Sequence, residues 1–213
     1  MVSTFGAVVG MLRPLDVTYR MKINKGESIM LKKDTTKLLA DFTAGLAIVR
    51  KRTGLSISLP KVGNYVETIA FINEFAFSGK VPKRFVTIDE ENVYFTQDTV
   101  FKLNSYNDVI SIMGLFTEID IRDLAFVNKM AGARTAVCRR SKHLYLDSEE
   151  LAFLAGLKVQ TVNNLKVRGV DGMPREPKGI VTTYIDYQYR TTGYDAYMWL
   201  KTKPGYSAIT VTN

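Results

Sequence analysis

The stretch DSEELAFLAGLKVQTVNNLK, residues 147–166, constrains this chain more than any other. Asp147 or Ser148 can cap a helix, and Glu149 and Glu150 then sit in its first turn, where negative charge is favourable. Leu151, Leu154 and Ala155 recur at helical spacing. Gly156 ends the helix, since glycine tolerates the positive φ that a tight stop requires. The chain restarts near Lys158, with Val159, Val162 and Leu165 as the inner stripe of a second helix. Lys158, Gln160, Thr161, Asn163, Asn164 and Lys166 remain on its outer faces. The stretch therefore reads as two short helices hinged at a glycine, apolar inside and amide-rich outside.

Composition limits what else the chain can do. Its 213 residues make one large domain or two small ones, either able to bury a core. Hydrophobic residues at 46% and charged residues at 23% are ordinary globular values. A formal charge of +8, from 29 Lys+Arg against 21 Asp+Glu, favours polyanionic partners without dictating a fold. Cys138 and His143 are single occurrences, so an internal disulfide framework and a Cys/His zinc site within one chain are excluded. Nucleophilic catalysis of the Ser-His-Asp or Cys-His kind would have to run through His143, which lies in the basic connector CRRSKHLYL. No cofactor and no metal are expected. The apolar run FGAVVGML is short and has no preceding Lys or Arg, so it fails as a signal peptide, and no run approaches about twenty apolar residues. A soluble cytoplasmic protein is expected.

Upstream of the hinge the pattern is mixed. LDVTYRMKI alternates like a strand. From Asp34 a helix is expected, with Leu38, Leu39, Phe42, Leu46, Ile48 and Val49 apolar and Gly54 closing it after Arg50, Lys51 and Arg52. A second helix runs between Pro60 and Gly79. Val86, Ile88, Val93 and Phe95 flank the turn Asp89-Glu90-Glu91-Asn92 and predict a hairpin, with a third short strand at Val100 and Phe101. The chain from Tyr106 to Arg140 is mostly helical, broken near Thr117 to Asp120, and Ala131, Gly132, Ala133 and Ala136 would admit a close neighbour. Lys129, Arg134, Arg139, Arg140 and Lys142 form a basic run with no acid among them. The expected organisation is α+β: residues 1–142 as a mixed helical domain with a β-hairpin, and residues 143–213 as a second module.

At residues 147–166 the chain resembles the helix–turn–helix family of bacterial and phage DNA-binding proteins. The family places a small residue where the helices touch, glycine in the turn, an apolar residue after it and a β-branched residue in the second helix. Ala152, Gly156, Leu157 and Val162 hold those places here, and Leu151 and Leu165 fill two more apolar slots. Lys158 departs from the Ser or Thr that many members use as the second cap. Downstream, a Gly/Pro connector, the alternating stretch GIVTTYIDYQYR, expected as one strand, and an aromatic helix containing Tyr197, Trp199 and Leu200 resemble the winged arrangement of excisionase and MerR-like readers. The tyrosines of that stretch are expected mainly as core of the module.

The resemblance, spanning residues of about 145–203, implies base reading by Lys158, Gln160, Thr161, Asn163 and Asn164, because Asn and Gln can bond adenine edges. It implies phosphate or wing contacts from Lys166, Arg168, Arg175, Lys178 and Arg190. Arg139 and Arg140 would flank the reader on the basic run. The expected function is sequence-specific binding of double-stranded DNA by a homodimer, as a prokaryotic or phage transcriptional regulator. A phage or plasmid packaging or partition adaptor would carry the same features. A metal-dependent nucleic-acid enzyme would need Asp89, Glu90, Glu91 and Asp98 as ligands; no phosphate loop or dinucleotide fingerprint accompanies them, and a non-enzyme is expected.

Overall fold

The computed structural model describes residues 32–54, 63–89, 92–165, 179–185, 187–206 and 209–213. The strand expected at 15–23, Pro60, Glu90, Glu91 and the wing cations Lys166, Arg168, Arg175 and Lys178 lie outside the described residues.

Helix α1 (Thr35–Thr53) starts where the Asp34 carboxylate accepts the Thr36 N–H at 2.9 Å and stops at Gly54, φ 62°. Helix α2 (Gly63–Ser78) ends at Gly79, φ 72°. Strand β1 (Lys80–Pro82) follows, and then the antiparallel hairpin β2 (Val86–Asp89) and β3 (Asn92–Phe95), with Val86 opposite Phe95 and Asp89 opposite Asn92. Phe71, Phe75, Phe85 and Phe95 make ring contacts that pin this hairpin to α2.

The third strand expected at Val100 and Phe101 is instead the first turn of α3 (Gln97–Met113). The Thr96 hydroxyl caps that helix by accepting the Thr99 N–H at 3.2 Å, and Thr99, Tyr106, Val109, Ile110 and Met113 are buried at helical spacing. Phe101 faces solvent. Two adjacent apolar residues gave no strict alternation, and the cap decided the outcome.

Helix α4 (Arg122–Cys138) is the spine of the molecule. Its first half, through Leu124, Val127 and Met130, packs with α1, α2 and α3 around Phe42, Tyr65, Ile72 and Tyr106. Its second half, from Ala133, belongs to another core that contains Leu146, Leu151, Leu154, Val162, Ile180, Ala196 and Leu200. This second core thus begins inside α4, ahead of the connector at which the sequence divides the chain. Gly132 is not the close-contact point expected, because a Cβ there would meet nothing within 4 Å. Ala136, expected with it, is: a Cβ added to Gly193 of the later helix would lie 2.3 Å from the Ala136 carbonyl oxygen.

The second core carries β4 (Tyr145–Leu146), α5 (Ser148–Ala155), α6 (Val159–Leu165), β5 (Thr183–Ile185), β6 (Gln188–Thr192) and α7 (Gly193–Leu200). The three strands lie in the order β4-β6-β5, antiparallel throughout. The stretch expected as one strand is therefore two, reversing between Ile185 and Gln188, with Tyr187 at φ 62°. The expectation that its tyrosines form core is also corrected, since Tyr184, Tyr187 and Tyr189 are exposed and the inward residue of β6 is Thr191. Period-2 alternation is the same on either side of a tight turn, so it gave no sign of the reversal. Finally β7 (Thr210–Thr212) pairs in parallel with β1, tying the end of the chain to the first core. Among the described residues no helix is long and apolar enough to cross a membrane.

Candidate nucleic-acid interface

The helix pair is fixed at both ends by local chemistry. Asp147 accepts the Glu150 N–H at 2.9 Å while Glu150 accepts the Asp147 N–H at 2.7 Å, a reciprocal capping box at the start of α5. At its end the Leu157 N–H donates to the Ala152 carbonyl at 2.9 Å and Gly156 takes φ 65°. This is the Schellman arrangement, which satisfies carbonyls the helix leaves open. Helix α6 begins one residue after Lys158, whose carbonyl accepts the Thr161 and Val162 N–H groups. Lysine has no side-chain oxygen with which to cap, so the departure seen in the sequence is a missing cap at this helix start.

The two faces separate cleanly. Leu151, Ala152 and Val162 are buried, and Leu165 is half-buried against the same core. Leu157 is not part of it: at 38% exposure it sits at the edge, where the Schellman turn turns it out. Lys158, Gln160, Thr161, Asn163 and Asn164 are all exposed. Gln160 donates to the Asn164 side-chain oxygen at 3.0 Å, an i,i+4 pair along the outer face.

The basic run does not act as one flank. Lys129 is held by Asp147 at 2.8 Å and by Glu149 at 2.6 Å, so it joins α4 to the start of α5. Burial pulls its ammonium down, but the two carboxylates outweigh that and hold its pKa above the ordinary lysine value. Arg134 is buried and donates to the Ala76 carbonyl at 3.2 Å, at the end of α2. Both are structural cations that the run made look available. Arg139 and Arg140 are exposed at the end of α4. Arg190 is half-buried on β6, opposite Thr183. Burial pushes the Cys138 thiol up to about 12, which lowers its thiolate fraction at neutral pH. His143 is exposed. Among the described residues no three His, Cys, Asp or Glu side chains gather as a metal cluster.

Glu150 carries a cost at this joint. Burial first, and then the neighbouring Asp147 carboxylate, raise its pKa well above the ordinary glutamate value. A raised folded-state pKa means the folded chain binds this proton more tightly, so stability falls as pH climbs from the ordinary glutamate range toward the raised value. Glu150→Gln keeps an acceptor for the Asp147 N–H and removes the charge. The variant is expected to be more stable by about 1 kcal/mol at neutral pH and to lack that decline. Denaturant midpoints measured across this range check it; an equal decline in both proteins refutes it.

What the sequence missed was a set of contacts on α7. Arg140 stacks over the Tyr197 ring at 4.6 Å, Lys142 lies over Tyr194 at 5.8 Å and Lys203 over Trp199 at 4.8 Å. Only the spacing of aromatics in GYDAYMWLKTK hinted at them. The second half of the chain thus presents a helix pair buried on one face, a three-stranded antiparallel sheet, and α7, whose rings lie beneath cations of the connector and of the residues that follow the helix. Comparison of the chain with protein-family models, with curated proteins and with solved structures finds no match.

Proposed function

We propose that this protein is a sequence-specific double-stranded DNA-binding protein whose second half is a winged helix–turn–helix module. One observation carries the reading. Strand β4 precedes the helix pair and yet pairs with β6, so the β5–β6 hairpin is anchored to the strand that leads into α5. That order of helix α4, strand, two hinged helices and hairpin supports a wing next to a reader. The exposed Gln160, Thr161, Asn163 and Asn164 opposite the buried Val162 support α6 as the reader. A helix fits the major groove, and amides there discriminate adenine.

In this reading α6 lies in the groove and the hairpin rests on the adjoining backbone. One module makes few base contacts, so two chains act together on half-sites a helical turn apart. The first core supplies dimerisation or effector binding. The role is transcriptional regulation in the cytoplasm of a bacterium, or in phage control.

Titration of genomic fragments at moderate salt tests it. The Asn163→Ala/Asn164→Ala variant is expected to lose about 30-fold or more in affinity for the preferred fragment while keeping its affinity for unrelated DNA. Weak binding to every fragment, unchanged in the variant, refutes the reading. A preferred site at a promoter supports a regulator, and one at an origin or packaging site supports an adaptor instead.

A further inference from the structure

Most cations of the described residues that lie near acids are spoken for: Lys33 and Lys37 by Asp123, Arg52 by Glu118, Lys129 by Asp147 and Glu149. Other exposed cations, among them Arg50, Lys51, Lys83, Arg139 and Lys158, have no such partner among the described residues, and a group around α7 is set apart from these by its rings. Arg140 lies 4.6 Å and Lys201 5.9 Å from the centre of the same Tyr197 ring, Lys142 lies over Tyr194, and Lys203 over Trp199. Among the described residues none of these four cations has a carboxylate within 4 Å. The carboxylate that α7 itself carries, Asp195, is occupied by the Thr192 hydroxyl at 2.6 Å.

The position of this face is fixed at both ends. At the start of α7 the Tyr194 N–H donates to the Ser141 carbonyl at 2.9 Å, which brings the helix against the 139–143 connector. Beyond its end, Gly205 lies against the turn between α5 and α6, so closely that a Cβ would fall 2.4 Å from the Ala155 carbonyl oxygen. Arg140, Lys142 and Lys201 therefore form a strip on the Tyr194–Tyr197 side of α7 beside the connector, whereas Lys203 lies over the buried Trp199, which points to another side of the helix.

We propose that this strip grips the phosphate backbone of the duplex beside the segment that α6 reads. The inference rests on the DNA-binding reading above. Cations held over rings lose little freedom on binding and remain without a neighbouring acid. A lipid surface is the less suitable polyanion, because an interfacial helix turns its large apolar side chains outward to the acyl region, whereas these rings lie beneath their cations.

The test uses the full chain with Arg140→Gln/Lys142→Gln and, separately, Lys201→Gln. Two probes are titrated against salt: the best-bound genomic fragment and a mixed-sequence duplex about three turns long. The pair is expected to lower the slope of log affinity against log salt by about 2 and Lys201→Gln by about 1, each weakening both probes by the same factor. Arg50→Gln/Lys51→Gln, which removes as much charge as the pair from the exposed end of α1, should leave the slope unchanged. Unfolding midpoints matching the parent exclude a folding defect. Equal slopes in parent and both strip variants, with specificity still lost in the Asn163→Ala/Asn164→Ala chain, overturn the strip alone. Lowered slopes with no effect of the amide variant overturn reading by α6 and leave the strip standing. Tighter binding to phosphatidylserine vesicles than to either duplex, lost in the strip variants, assigns the face to membranes and overturns the proposal.

Discussion

Val162→Asp is expected to unfold the helix pair. Val162 is fully buried in the second core, on the helix that packs against α5. The substitution forfeits about 1.5–3 kcal/mol of apolar burial and sets a carboxylate where no cation or donor awaits it, a further cost of several kcal/mol. That sum rivals the whole stability of an ordinary domain, about 5–15 kcal/mol. Amide hydrogen exchange should show protection lost across α5 and α6. Protection should survive at Ile69, Ile72 and Phe75 of α2, which belong to the first core. Full protection of α6 in the variant, or uniform loss throughout the chain, contradicts the two-core account.

Gly193→Ala is the second large effect, and its cause is backbone rather than side chain. The added Cβ would lie 2.3 Å from the Ala136 oxygen and 2.7 Å from its carbonyl carbon. Neither atom belongs to a flexible side chain, so α7 must move away from α4. That movement stretches the bond from the Gly193 N–H to the Leu144 carbonyl, now 2.9 Å, and the one from Tyr194 to Ser141. A loss of about 3 kcal/mol or more is expected, lowering the melting temperature by about 6–12 °C. Gly132→Ala is the matched control. With open space at its Cβ and a mid-helix position in α4, it should stabilise by about 0.5–1 kcal/mol. Similar melting temperatures for the two variants would falsify the close approach.

Much of the local structure was legible because its determinants are local. Asp34 and Gly54 bound α1, Asp147 and Gly156 bound α5, and the Leu151, Ala152, Val162 stripe faces inward. A cap, a left-handed glycine and a helical period act within a few residues of themselves. Failures came where two local rules competed or none applied. Thr96 converted an expected strand into α3, and a reversal inside an alternating stretch left its tyrosines outside. The basic run misled for a different reason. Lys129 and Arg134 are neighbours in sequence to Arg139 and Arg140, but their partners lie on other elements: the start of α5 and the end of α2.

The amino-acid sequence by itself determined the hinge: two short helices, the glycine between them, and an inner and an outer face. It also removed zinc and disulfide scaffolds by scarcity of cysteine and histidine. Tertiary structure alone decided that α4 serves both cores, that β4 pairs with β6 across the intervening helices, and that β7 returns to β1. It alone decided which cations remain open, because pairing with a carboxylate or carbonyl joins residues far apart in the chain, as with Lys37 and Asp123, which are 86 positions apart in sequence and 2.9 Å apart in space. Charge composition reports how many cations there are; packing leaves Arg140, Lys142, Lys201 and Lys203 over aromatic rings with their charge unmatched.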